Sequence, residues 1–141
     1  MSPTTDEARH ASLVAQAQAV QPNAYAPYSK FRVGAALITD TGEVYLGVNV
    51  ENASYPVGVC AERSAITSAV TDGVKADSRA IVAIAIATDA TMAVMPCGMC
   101  AQALFEFNPD MEVTSVGTDG VTKTLTMREI LPYAYAGEGL E

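Results

Sequence analysis

The sequence predicts an α/β fold, a three-layer α/β/α sandwich with a mixed central sheet, in one domain over residues 1–141. Three observations predict it. Helical and strand patterns alternate in the order α, β, β, α, β, α, β, β, α, which packs naturally as helices on both faces of a sheet. Residues 80–87, Ala-Ile-Val-Ala-Ile-Ala-Ile-Ala, are apolar at every position, as suits a strand covered on both faces. A chain of 141 residues with 50% hydrophobic content can fill one core but is too short for two ordinary domains.

The first helix is expected over residues 6–20, where Ala8, Ala11, Ala15 and Ala19 recur near helical spacing beside Leu13, Val14 and Val20. Pro22-Asn23 ends it. His10, the sole histidine, lies on this helix far in sequence from the cysteines and reads as an unpaired surface or capping residue. The aromatic, proline-interrupted stretch from Tyr25 to Phe31 is irregular. Strands over 32–38 and 43–50 then form a hairpin about Asp40-Thr41-Gly42. The small residues Gly34, Ala35 and Ala36 imply that another element packs closely on the first of these strands.

A polar loop over 51–59 delivers the chain to Cys60, where a helix opens with Ala61, Ala65, Ile66, Ala69 and Val70 on its buried side and Asp72-Gly73 as its stop. The apolar strand over 80–87 follows, and residues 88–95 read as loop. Pro96 is suited to open the next helix, which runs from Cys97 to Phe107 and ends at Asn108-Pro109. Strands over 112–117 and 121–126 flank the turn Asp119-Gly120, and a short helix over 127–131 stops at Pro132.

Eight basic against sixteen acidic residues give a formal charge of −8, a poor footprint for gripping a polyanion. A small neutral substrate is expected, with no nucleic acid polymer as partner. No apolar run reaches the ~18 to 20 residues of a membrane span, and the amino terminus lacks a basic start and apolar stretch, so no membrane partner and a cytoplasmic location are expected. Three cysteines cannot pair completely within one chain. Reduced thiols can bind metal.

All three cysteines fall in two blocks, Cys60-Ala61-Glu62-Arg63 and Pro96-Cys97-Gly98-Met99-Cys100. Cys97 and Cys100, three apart, share a helix face, and Cys60 joins them from the start of the other helix. Three protein ligands with a fourth position open is the pattern of a catalytic zinc. Three thiolates on Zn²⁺ leave a net −1, which two helix amino termini and the Arg63 cation offset. Glu62, two residues past a ligand, can reach water at the open position and move its protons. The layout is that of zinc-dependent nucleoside and base deaminases.

Each piece also has a plainer reading. Cys-x-x-Cys at a helix start is a redox motif in other settings, although a Cys-x-Glu upstream is foreign to it. A structural zinc clip needs a fourth ligand, and with three cysteines the chain has only His10, far off in sequence, to add. Glu62 alone would pass for a carboxylate stabilising a helix start, and Arg63 for a surface ion-pair partner. A non-catalytic zinc subunit would have no use for Glu62.

Taken together, five blocks resemble the small homotetrameric cytidine deaminases: residues 28–36 (Tyr-Ser-Lys-Phe-Arg-Val-Gly-Ala-Ala), 49–55 (Asn-Val-Glu-Asn-Ala-Ser-Tyr), 60–63, 96–102 and 130–132. The resemblance implies a cytidine deaminase-like fold with one Zn²⁺ per subunit. It implies hydrolytic deamination of cytidine and 2′-deoxycytidine to uridine and 2′-deoxyuridine with release of ammonia in pyrimidine salvage, a zinc-bound hydroxide attacking carbon 4 while Glu62 shuttles protons. It further implies that Asn49 and Glu51 bond the ribose, that Phe31 packs beside the nucleoside, that the Ala61 N–H meets the pyrimidine carbonyl, and that the Met95 carbonyl faces the leaving ammonia. Tyr55 would anchor a loop at a subunit contact. A relative acting on another aminated pyrimidine, such as blasticidin S, is the competing enzyme reading, against which the Asn49-x-Glu51 block argues.

Three positions depart from the family pattern. Ala101 stands where relatives usually carry Arg, leaving Arg63 as the cation of the two metal blocks, and Met95 stands where they often carry Ser or Thr. Tyr135 stands where they commonly have a Phe that reaches a neighbouring subunit's pyrimidine; a tyrosine can still stack there, in active sites shared across a homotetramer.

Overall fold

A computed structural model of the chain describes residues 3–76 and 79–137. The remaining positions of the expected 1–141 domain lie outside the described residues. The elements are α1 (Pro3–Val20), β1 (Val33–Thr39), β2 (Val44–Val48), α2 (Ala61–Thr71), β3 (Ile81–Thr88), α3 (Gly98–Phe107), β4 (Glu112–Val116), β5 (Thr122–Thr126) and α4 (Met127–Ile130). This is the expected order of helices and strands. Short 3₁₀ turns cover Gln21–Asn23 and Tyr55–Val57.

The sheet is mixed, with strand order β2-β1-β3-β4-β5. Among the described strands β3 and β4 are the pair that runs parallel, and α3 makes the crossover between them, as parallel neighbours require. β2 and β3 each pair antiparallel with β1, so they run in the same direction. Their following helices, α2 and α3, therefore both start at the same edge of the sheet. That geometry brings the two cysteine blocks together.

β3 explains its unbroken apolar run. Ala83, Ala85 and Ala87 pack with Leu13 and Ala17 of α1, while Ile84 and Ile86 face Ala61, Ala65 and Leu104 of α2 and α3. Small residues lie on the α1 face and large ones on the other. Full burial of an Ile or Leu stabilises by about 1.5–3 kcal/mol, so the α2/α3 face holds the larger share of the core.

Two glycines set how closely the helices approach. A Cβ at Gly34 would lie 2.2 Å from the Ala17 carbonyl oxygen of α1, and one at Gly47 would lie 2.4 Å from both the Ala61 carbonyl oxygen and the Ala65 nitrogen of α2. The expectation of close packing at Gly34 holds. Gly47 does the same for α2, seating the first turn that carries Cys60 and Glu62 directly on β2.

Boundaries differ from expectation where side chains replace backbone pairing. β2 ends at Val48 rather than at residue 50, because the Asn49 amide turns to accept from the Val33 N–H. Thr88, expected to open a loop, instead ends β3 opposite Val33. Thr126 caps α4 in a capping box with Glu129, a signal that stabilises so short a helix. His10 is not unpaired: with Arg9 it meets the Glu112 carboxylate, at 3.4 Å and 2.7 Å respectively. An acidic residue opening β4 supplies the partner that the sequence alone did not place. No helix among the described residues is long and apolar enough to cross a membrane.

Candidate active site and metal centre

Cys60 and Cys97 are the residues immediately before α2 and α3, each in extended backbone that breaks into helix. Neither side chain caps a backbone N–H of its own first turn, so both sulfurs are available to turn toward each other. Cys100 follows in the first turn of α3 and is fully buried. The three sulfurs lie within 4.8 Å of one another. Tetrahedral zinc with Zn–S of about 2.3 Å spaces its sulfurs about 3.8 Å apart, so closing on an ion asks for a contraction of about 1 Å or less.

The thiol chemistry suits a cation. A hydrogen bond from Cys100, with Arg63 beside it, lowers Cys60 to about 5. The same bond and burial push Cys100 up. The cluster thus favours a thiolate at Cys60, and a divalent cation would favour that form in all three. The Arg63 guanidinium donates to the Cys60 sulfur at 3.9 Å, and its Nε is buried without a hydrogen-bond partner. No further His, Cys, Asp or Glu joins the cluster among the described residues. A closed four-ligand clip is therefore not formed, and the third sulfur distinguishes the site from a two-cysteine redox pair.

Glu62 is 6% exposed in the first turn of α2. Burial, with the neighbouring Cys60 charge adding, raises its pKa above the ordinary carboxylate value. A carboxyl so placed takes up a proton more readily than a solvated one, as a group that must both accept and give back protons requires. It opens on a cavity of about 340 Å³ whose lining includes Cys60, Cys97, Phe31, Asn49 and Glu51. Ala61 and Met95 also reach this cavity. Tyr135 does not line it: the residue is 55% exposed, and its backbone oxygen accepts from Gln102 at 2.7 Å.

Asn49 and Glu51, which the resemblance implies bond the ribose, are half-buried and already hold loop backbone. Asn49 accepts from the Val33 N–H and donates to the Phe31 carbonyl, both at 2.8 Å. Glu51 accepts from the Tyr28 and Ser29 N–H groups at 3.0 Å and from the Ser29 hydroxyl, which together hold its carboxyl below the usual range. A loop that leaves a strand exposes N–H groups that need acceptors, and these two side chains supply them. Asn49 keeps one amide hydrogen and one lone pair for a ligand. Tyr55 meets Tyr28 edge to face at 6.1 Å and is 77% exposed.

Three residues of the site were not singled out from sequence. Ser29 braces Glu51 and accepts from the Phe31 N–H at 3.0 Å. Thr88 lines the cavity floor at the end of β3. Ser115, fully buried, donates to the Val94 carbonyl at 2.6 Å and accepts from the Val94 N–H at 3.2 Å, fixing the loop that carries Met95. Ser29 lay within a quoted block; nothing local marks a serine or threonine at a strand position as a site residue.

Residues 7–116 match the cytidine and deoxycytidylate deaminase zinc-binding region. The chain belongs to the cytidine deaminase family. It is 41% identical over 129 residues to the cytidine deaminase of Sporosarcina psychrophila, covering 91% of this chain and 92% of that one. With the cytidine deaminase of Halalkalibacterium halodurans it shares 40% identity over 129 residues, 91% of this chain and 95% of the relative. The crystal structure of cytidine deaminase from Burkholderia pseudomallei superposes with a TM-score of 0.86 at 40% identity, over 89% of this chain and 98% of that one. The fold and the enzyme class expected from the sequence both stand.

Proposed function

We propose that the chain catalyses zinc-dependent hydrolytic deamination of cytidine and 2′-deoxycytidine to uridine and 2′-deoxyuridine, releasing ammonia, within pyrimidine salvage. The observation that carries this reading is the meeting of Cys60, Cys97 and Glu62 with Asn49 and Glu51 on one cavity. Cys60, Cys97 and Cys100 would hold one Zn²⁺ per subunit, which supplies the Lewis acidity that makes water a nucleophile near neutral pH.

Glu62 takes a proton from the attacking water and passes it to the ring nitrogen beside carbon 4. Glu62 then takes the remaining proton from the hydroxyl now on carbon 4 and delivers it to the amino nitrogen as the carbon–nitrogen bond breaks, so that ammonia leaves and the carbonyl of uridine remains. Arg63 and the two helix amino termini offset the thiolate charge. The Ala61 N–H orients the pyrimidine carbonyl, and Met95 presents its backbone oxygen to the departing ammonia. Asn49 and Glu51 receive the ribose with the capacity they retain, and Phe31 covers the nucleoside.

A second copy of the chain completes the picture. Tyr28, Tyr55 and Tyr135 stand 49%, 77% and 55% exposed, and aromatic side chains left this open support a homotetramer with active sites shared between subunits. The net charge of −8 supports a free nucleoside rather than a polymer as substrate. Incubating zinc-loaded protein with cytidine and following the loss of its absorbance, with metal analysis on the same sample, tests the reading. Turnover of cytidine and deoxycytidine with about one zinc per chain is expected. No turnover of either nucleoside sinks it, and turnover of other aminated pyrimidines alone moves the substrate elsewhere. A size measurement in solution tests the assembly.

A further inference from the structure

Every backbone N–H and C=O from Phe31 to Val33 is held, and nearly all by side chains. Phe31 donates to the Ser29 hydroxyl at 3.0 Å and accepts from the Asn49 amide at 2.8 Å. Arg32 donates to the Asp89 carboxylate at 2.9 Å and accepts from the Gln21 amide at 3.0 Å. Val33 donates to the Asn49 side chain at 2.8 Å and accepts from the Asn49 N–H at 3.3 Å. The segment needs such holding. Lys30, just before it, sits at φ 62°, a conformation that costs an L residue about 1–2 kcal/mol.

Asp89 is the unassigned member of this set. It lies one residue past the end of β3, where the β1–β3 ladder would continue from the Val33–Thr88 pair. Its carboxylate replaces the backbone carbonyl that a longer strand would offer to the Arg32 N–H. The other oxygen accepts from Gln21 at 3.1 Å, and the Arg32 guanidinium adds a contact at 3.3 Å. Asp89 does not line the catalytic cavity; it borders a separate cleft with Gln21 and Arg32. Asn49 grips the segment from the β2 side, and Asp89 with Gln21 grips it from the β3 and α1 side. Phe31, on the cavity wall beside Asn49, is held between the two.

We infer that Asp89, assisted by Gln21, is a positioning residue for substrate binding, acting through the Arg32 peptide to hold Phe31 at the cavity wall beside Asn49. The inference rests on reading that cavity as the nucleoside site. Loss of the clamp frees a wall that packs on substrate without touching Glu62 or the sulfurs. Its signature is therefore a raised KM with kcat and zinc content preserved.

The test measures kcat, KM for cytidine and zinc per chain in the wild type, Asp89→Ala, Asp89→Asn and Gln21→Ala. For Asp89→Ala a rise in KM of about tenfold is expected, with kcat within about threefold of wild type, the scale of lost charge-assisted hydrogen bonds. Asp89→Asn keeps an oxygen for the Arg32 N–H but loses the acceptor for Gln21 and an exposed charge contact, so its KM should rise no more than about threefold, on the scale of Gln21→Ala. Gln21→Ala should raise KM by about threefold. Native KM in Asp89→Ala, or an Asp89→Asn as damaged as the alanine variant, overturns the inference. So does a loss of zinc and kcat in step, which would make the residue purely structural. Should Asp89→Ala not fold, an unchanged KM in Gln21→Ala is the decisive contrary result. A wild-type protein without cytidine turnover removes the nucleoside reading and the inference with it, whereas an active wild type with kinetically native variants removes the inference alone.

Discussion

The metal wall of the cavity stands on two helix starts wedged against the sheet, whereas the facing wall hangs on side chains that bond to loop backbone. On the metal side, Gly47 seats α2 on β2, and the sulfurs and Glu62 inherit the rigidity of a packed core. Opposite, Asn49, Glu51, Ser29 and Asp89 hold a segment with little core beneath it. Sites placed on helices and strands are positioned more tightly than sites on loops. The difference predicts a division of labour: damage to the first wall should appear in kcat and zinc, damage to the second in KM.

The largest effect is expected at Glu62. Glu62→Gln should keep zinc, leave KM near its wild-type value and lower kcat by at least ~10² to 10⁴-fold, because one group serves several proton transfers. Steady-state kinetics with metal analysis checks it, and near-normal turnover would refute the assignment of Glu62. Next comes Asn49→Ala, which strips a ligand-facing amide and two backbone bonds at once. KM for cytidine should rise by about 30- to 100-fold, the equivalent of roughly 2–3 kcal/mol, with zinc retained. If instead Asn49→Ala lost zinc, the two walls would not be separable.

Gly47→Ala probes the foundation of the metal wall. The added methyl meets backbone of α2 at 2.4 Å, and backbone cannot rotate away as a side chain can. Overpacking of this kind costs about 1–3 kcal/mol, which a thermal melt of the zinc-loaded protein would read as a lower Tm. The displaced α2 start should also weaken zinc retention against a chelator. An unchanged melt would show that α2 is seated by something other than that contact.

How far each wall could be read in advance follows the same division. Helix-start cysteines, a Cys-x-Glu and a stop at Asp72-Gly73 are local signals, and alternation of local signals was enough to order the elements. The parallel course of β2 and β3, which puts both cysteine blocks at one edge, is topological and appears only once β1 is seen between them. The facing wall depends on contacts far apart in sequence, Asp89 to Arg32 and Ser115 to Val94, which no window of neighbouring residues reveals. Asn49 and Glu51 were legible as residues of interest, but their bonds to the loop backbone were not. His10 was misread as unpaired because Glu112, its partner, lies across the sheet in β4.

The smallest effect should come from Asp110, which belongs to neither wall. Its carboxylate meets Arg128 at 2.6 Å and Arg79 at 3.1 Å, and the Arg128 bond above all holds its pKa below the ordinary value. A depressed carboxylate pKa contributes stability that is present above the unfolded pKa and lost as pH falls through the folded one. The contribution is therefore complete at neutral pH and fades in the acid range below about 4. All three side chains are more than half exposed, so the effect is small and screened by salt. Asp110→Asn should flatten the acid limb of the stability profile, measured by denaturant midpoint against pH at low salt, and leave kcat, KM and zinc content at wild-type values. A shift in KM would mean that the α3–α4 surface is coupled to the loop wall, and the division between the two walls would have to be redrawn to include it.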